Sequence, residues 1–177
     1  MIVNEMIAPS AFQINESLNP DWSSYVYGEI HSQSLIDILI TMNCDNRHLL
    51  DIGSGTGRLI ADLHDSFEHL SLTGIEIDVD RYNTSLHMEN HRNDHQYMEF
   101  LCGDFRELYF GNYDILYCCN CVFEIEDNDA LFDKIIREFK GHCFLFSFDK
   151  KMVPYYVRSY IIQTSWVPYT EIYHFSL

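Results

Sequence analysis

Short apolar runs alternate with amphipathic stretches along most of the chain. Residues 48–52, His-Leu-Leu-Asp-Ile, form an apolar run that ends at glycines, the pattern of a buried strand. In residues 58–67, Leu59, Ile60, Leu63 and Phe67 recur at helical spacing and mark one face. Residues 72–77 predict the next strand. Residues 79–92 predict a polar helix with Val79, Tyr82, Leu86 and His87 turned inward. Residues 97–102 and 113–119 predict a third and a fourth strand. A clear amphipathic helix follows over 127–140, carried by Leu131, Phe132, Ile135, Ile136 and Phe139. Asp127 or Asn128 suits its N-cap and Gly141 its stop. Residues 143–148 predict a fifth strand. Upstream, Leu35, Ile36, Leu39 and Ile40 predict a helix over 31–42.

The two ends read differently. Residues 1–30 are polar, with turn residues at Pro9, Asn19, Pro20 and Gly28, and predict an arm with at most a short helix. Beyond the fifth strand, residues 154–158 predict a helical turn. Residues 161–167 and 171–177 predict two strands joined as a hairpin around Pro168-Tyr169-Thr170. Strands that alternate with helices imply an α/β fold, a mostly parallel sheet covered on both faces. The terminal hairpin adds an antiparallel strand. Neither repeats nor low-complexity linkers occur, so the expected organisation is an arm over 1–30 and a single domain over 31–177.

Composition narrows the partners. Of 177 residues, 47% are hydrophobic, enough for a real core. Twenty-seven acidic side chains against 11 Lys and Arg give a net charge of −16. Such a field repels phosphate backbones, which disfavours nucleic acid, and attracts a Lys-rich protein or a cationic small molecule. Acidity also serves plain solubility. The opening residues Met1-Ile2-Val3-Asn4-Glu5-Met6 carry no basic region and no long apolar stretch, so an intracellular protein, cytoplasmic or nuclear, with no membrane anchor is expected. Cys118-Cys119-Asn120-Cys121 lies in a strand-like run whose neighbours point to opposite faces, which disfavours a structural zinc site. All six cysteines read as small buried side chains in a reducing compartment. His87, His91 and His95 read as a solvated polar face, and no metal site is expected.

The chemistry concentrates in Asp51-Ile52-Gly53-Ser54-Gly55-Thr56-Gly57, a glycine turn that follows a strand and opens a helix. Glycines allow a sharp turn and a close approach of backbone to ligand. In open α/β sheets that ligand sits at the carboxyl ends of the strands. The second element is Gly74-Ile75-Glu76-Ile77-Asp78, where Glu76 ends the next strand and can accept both ribose hydroxyls of a nucleoside. Ile77 joins the cofactor-binding candidates beside it, together with Ser54 in the turn. A dinucleotide fingerprint spaces its glycines G-x-G-x-x-G, and a pyrophosphate disfavours an adjacent carboxylate. Here the spacing is G-x-G-x-G behind Asp51, which suits a ligand bearing an amino group or a sulfonium. S-adenosylmethionine is therefore favoured over a nicotinamide. After the third strand, Asp104 is placed to accept from an adenine amino group and Phe105 to pack on the base.

This pattern resembles the class I, seven-strand S-adenosylmethionine methyltransferases, and within them the non-SET histone lysine methyltransferases of the disruptor-of-telomeric-silencing type. Four segments carry the likeness: Tyr27-Gly28-Glu29, the turn from Asp51 to Gly57, Gly103-Asp104-Phe105, and Cys118-Cys119-Asn120-Cys121-Val122-Phe123. The resemblance implies a Rossmann-like sheet. It implies that Asp51, Gly53, Gly55 and Glu76 hold the methionine and ribose parts, with Asp104 and Phe105 at adenine. It implies that Asn120 touches the methionyl end and lines a lysine channel, and that Tyr27 and Glu29 belong to a loop closing over the cofactor. The chain departs from the family in Arg58, where a glutamine is usual, and in lacking a basic extension. The expected activity is N-methylation of lysine on a basic protein such as a histone. The alternatives are a small-molecule methyltransferase on the same fold and a non-catalytic cofactor-binding subunit.

Overall fold

The computed structural model describes residues 2–5, 30–90, 97–119, 125–146, 158–164 and 170–177. In chain order these form β1 (Ile2–Glu5), α1 (Ile30–Thr41), β2 (His48–Ile52), α2 (Arg58–Ser66), β3 (Ser71–Glu76), α3 (Val79–Asn90), β4 (Met98–Cys102), two 3₁₀ turns (Phe105–Glu107 and Phe110–Asn112), β5 (Ile115–Cys119), α4 (Ile125–Glu138), β6 (His142–Phe146), β7 (Arg158–Thr164) and β8 (Thr170–Ser176). One sheet contains all eight strands in the order β1-β7-β8-β6-β5-β2-β3-β4. Strands β2 to β6 pair in parallel, and β8 alone runs against its neighbours β6 and β7.

Each strand near the centre is buried on both faces, which is why it reads as a continuous apolar run. On one face Leu49, Leu72, Phe100, Ile115 and Tyr117 pack under α1 and α2. On the other, Leu50, Ile52, Ile75, Leu116 and Leu145 pack under α4 through Leu131, Phe132, Ile135 and Phe139. The α/β expectation thus holds, with the antiparallel strand at the carboxyl-terminal end of the chain.

The differences are local. Ile2–Glu5 is a strand, parallel to β7, so the first residues of the arm extend the sheet and bring it to eight strands. β7 starts at Arg158 and β8 at Thr170, three residues and one residue ahead of the expected starts, in a register that joins Arg158 to His174. Helix α4 begins at Ile125, ahead of both expected caps. In α3, Tyr82 and Leu86 face the sheet as expected and Ser85 joins them, whereas Val79 and His87 are exposed. Of the helical turn expected over 154–158, residues 154–157 lie outside the described residues, and Arg158 belongs to β7 instead. No described helix is long and apolar enough to cross a membrane.

A sheltered ion pair fastens α4 to the turn Phe110–Asn112. Lys134 Nζ donates to Glu138 Oε2 at 2.7 Å and sits 4.9 Å from the centre of the Phe110 ring. Arg137 donates to Glu138 Oε1 at 2.8 Å, and the Phe110 N–H lies 3.4 Å from Oε2. Lys134 first, then Arg137, holds the Glu138 carboxyl at about 2, well below the usual range. A depressed carboxyl contributes stability above its unfolded value, near 4.3, and loses it as pH falls through the folded value. Glu138→Gln is therefore expected to cost about 1–2 kcal/mol at neutral pH. In urea denaturation the two proteins' midpoints should draw together as pH is lowered from about 4 towards 2; a constant gap would contradict this.

Candidate cofactor site

Strand β2 delivers the chain into three glycines that all take the left-handed conformation: Gly53 (φ 75°), Gly55 (φ 58°) and Gly57 (φ 82°). The turn they form is stitched to β3, because the Gly53 and Ser54 N–H groups both donate to Ile75 O, at 2.9 and 3.1 Å. Gly57 caps α2 without a side-chain hydrogen bond. A Cβ on Gly57 would lie 2.5 Å from Phe100 Cζ and 2.9 Å from Ser85 Cβ, so α2 packs this closely on the sheet only with glycine here. Gly74 plays the matching part on β3, since a Cβ there would meet Ser54 Oγ at 2.7 Å. Ser54 Oγ is buried and has no hydrogen-bond partner among the described residues.

Glu76 closes the far side of the turn. Its Oε2 accepts from the Gly55 N–H at 2.8 Å and its Oε1 from the Asp78 N–H at 2.9 Å. The residue is 6% exposed. A carboxylate offers about four acceptor positions, so two remain for ligand hydroxyls. Asp78 in turn caps α3, its Oδ1 accepting from the Asp80 and Arg81 N–H groups at 3.0 and 2.9 Å. Just past Glu76, Ile77 and Val79 leave large apolar surfaces in solvent at 67% and 57% exposure. They form an apolar rim beside the acid, fitted to cover the flat face of a base.

Asp51 lies one strand away, paired across the ladders with Gly74 on β3 and Tyr117 on β5. It is only 3% exposed. Burial, and after it the negative charge of Glu76, pushes its carboxyl up to about 8. An acid in such surroundings gains from a cation, the group that Asp51's place before the glycines suggested.

Asp104 follows β4, which is tied to β3 by Gly103 N–H donating to Glu76 O at 2.9 Å. Its side chain caps the turn Phe105–Glu107 by accepting from Arg106 N–H, and it is clasped by the Arg106 guanidinium through Nε at 2.8 and 2.9 Å. The Arg106 hydrogen bonds hold the Asp104 carboxyl below its ordinary value. Phe105 is half-buried, 6.5 Å from the Phe110 ring. Asp51, Gly53, Ser54, Gly55, Gly57, Glu76 and Ile77 therefore meet at one crevice at the carboxyl ends of β2 and β3. Asp104 and Phe105 stand at its β4 side, already engaged with protein neighbours. Tyr27, Glu29 and Asn120 lie outside the described residues, as do His91 and His95.

Two features escaped the sequence reading. Arg106 is the partner of Asp104, and its signal was the spacing Asp-x-Arg. Cys118 is disulfide-bonded and Cys102 is exposed, which corrects the reading of all six cysteines as small buried side chains in a reducing compartment; Cys44 and Cys143 are free and buried as expected. Cys118 is buried on β5, in register with Ile52 at the start of the glycine turn. Among the described residues no group of three or more His, Cys, Asp or Glu is arranged to hold a metal ion.

The geometry of an open α/β sheet with a glycine turn and an acid at the end of the next strand defines a nucleoside-cofactor site. The family model described as a methyltransferase domain matches residues 49–142, more than half of the chain, and the chain belongs to that family. Solved structures agree in fold. An RNA methyltransferase from Salinibacter ruber, in complex with S-adenosyl-L-homocysteine, is 19% identical, with 81% of this chain and 90% of that chain covered at a TM-score of 0.65. Magnesium protoporphyrin IX methyltransferase from Synechocystis, with bound S-adenosylmethionine, is 14% identical over 82% and 78% at a TM-score of 0.69. Phosphoethanolamine N-methyltransferase 2 of Haemonchus contortus is 20% identical, with 61% and 27% covered and a TM-score of 0.52. No curated protein matches the sequence. The fold is that of class I methyltransferases, and the cofactor bound in the first two of these neighbours is S-adenosylmethionine or its product S-adenosyl-L-homocysteine. The glycine cradle, the two free acceptor positions of Glu76 and the cation-seeking Asp51 all fit it.

Proposed function

We propose that the protein transfers a methyl group from S-adenosylmethionine to the side-chain nitrogen of lysine in a basic protein, such as a histone. The observation that carries this reading is the conjunction of Tyr27-Gly28-Glu29 and Asn120 with the glycine turn, in a chain of net charge −16. The bound cofactor supplies a methyl group activated by its positive sulfur. The protein contributes alignment for in-line displacement, which is where most of the rate comes from when two reactants are held together. A lysine must lose its proton before it attacks, and an apolar channel achieves this by disfavouring the ammonium, with water taking the proton. In the sequence, Cys121, Val122 and Phe123 follow Asn120 directly and bring apolar side chains suited to such a channel, and the acids Glu124, Glu126, Asp127 and Asp129, which suit the approach of a basic segment, come next.

A second reading is a small-molecule methyltransferase. It is favoured by neighbours of the same fold whose names give a porphyrin and phosphoethanolamine as substrates. Labelled cofactor incubated with core histones, bulk RNA and phosphoethanolamine in parallel separates the readings. Label on lysine, located by mass spectrometry, is expected, and Asn120→Ala should lower its rate by roughly 100-fold through lost alignment. Label on RNA or the small amine alone would overturn the lysine reading. Cofactor binding with no transfer to any acceptor would instead point to a non-catalytic subunit.

A further inference from the structure

Two buried carboxyl groups share one face of the sheet at the mouth of the crevice. Asp51 on β2 is in register with Gly74, and Glu76 stands two positions further along the same strand, so both side chains leave the sheet on the same side. Glu76 already has its two backbone N–H donors, which is what a carboxylate needs. A second negative charge beside it, out of water, has no such support. Among the described residues, the groups packed around Asp51 do not offer a counter-charge. Gly74 leaves β3 without a side chain, and β5 presents the buried Tyr117. The turn presents Ser54. Arg58, at the start of α2, reaches Asp62 of its own helix at 3.3 Å. α1 brings Leu35 and Leu39 to this face of the core, and the start of α3 adds two further acids, Asp78 and Asp80, both exposed.

We propose that Asp51 carries a proton in the cofactor-free protein and releases it to solvent when the cationic cofactor docks, so that binding exports a proton near neutral pH. The assignment rests on S-adenosylmethionine as the cofactor and adds a role for Asp51 that the glycine cradle alone does not require. The balance is simple: the O–H bond of the carboxylic acid breaks, buffer takes the proton, and the carboxylate left behind faces the ligand's positive charge. Asp51 thus acts as a positioning residue whose charge appears only when there is something to attract. Affinity should rise with pH up to about 8, where Asp51 ionises without help, and level off above.

Calorimetric titration of the whole protein with S-adenosylmethionine at about pH 6.5, below the usual α-amino range of ~7.7–8.0, tests this in two buffers of different ionisation enthalpy. The apparent enthalpies should differ by the amount that release of roughly one proton per site requires. Asp51→Asn should bind with no difference between buffers. Equal wild-type enthalpies in both buffers, or a proton release that survives in Asp51→Asn, would overturn the proposal. Should Asp51→Asn fail to fold, the wild-type buffer difference and its decline between about pH 7 and 9 still decide the matter. Absence of saturable binding in either buffer would fail the cofactor assignment itself, an outcome distinct from binding without proton release.

Discussion

Glu76→Ala is expected to weaken S-adenosylmethionine binding by roughly 100-fold or more, about 3 kcal/mol, while leaving the protein folded. The loss has two sources. In the proposed placement the two acceptor positions left on the Glu76 carboxylate take the ribose hydroxyls, and hydrogen bonds to a charged group contribute about 1.5–3 kcal/mol each. Glu76 also holds the glycine turn from the other side, through the Gly55 N–H at 2.8 Å, so its removal loosens the cradle before any ligand arrives. Glu76→Gln separates the two. Its amide oxygen can still accept from Gly55 but offers only one acceptor atom, so an intermediate affinity is expected. Calorimetry gives the affinities, and circular dichroism checks the fold. Unchanged affinity in Glu76→Ala would sink the placement of the cofactor.

Gly57→Ala should be the most damaging single methyl group in the motif. The left-handed conformation alone costs a non-glycine residue about 1–2 kcal/mol. The added Cβ also drives into Phe100 and Ser85 at distances no relaxed contact allows, and overpacking of this kind costs about 1–3 kcal/mol. Together these cost about 2–5 kcal/mol of stability, read as a lower midpoint in urea with an unchanged slope. Gly55→Ala is the internal control. Its φ is also positive, yet its Cβ would meet nothing within 4 Å, so only the conformational cost of about 1–2 kcal/mol remains. Equal losses at the two positions would show that the packing of α2 on β4 is not what fixes Gly57.

Much of this was legible because it is local. β2, β3 and β5 are five or six residues of apolar side chains bounded by glycine or polar turns, and burial on both faces leaves no ambiguity of register. The turn from Asp51 to Gly57 and the acid Glu76 announce the crevice for the same reason, since strand, turn and helix follow one another directly. The misread face of α3 has a packing cause. Ser85 is fully buried because the close approach at Gly57 leaves room only for a small side chain there, whereas Val79, the more apolar residue, stands in solvent beside Glu76. Hydrophobicity ranks those two in the wrong order. β1 was not legible because its partner β7 lies at the other end of the chain, and its sequence alone says nothing of that pairing. The clasp of Arg106 on Asp104 depends on side-chain rotamers, which spacing does not specify.

The pairing of Ile2–Glu5 with β7 has a practical consequence. Without those four residues, β7 would be the outermost strand on that side, with a run of backbone N–H and C=O groups facing water. A seven-residue border carrying Tyr160, Ile161 and Ile162 is a ready template for a strand from another molecule. The amino-terminal residues thus act as a selvedge that keeps the sheet from growing sideways. An expression variant starting after Glu5 should retain the glycine crevice yet become prone to self-association, visible as concentration-dependent growth in light scattering. Fusion partners at that end are better joined through a spacer that leaves the border strand free to pair.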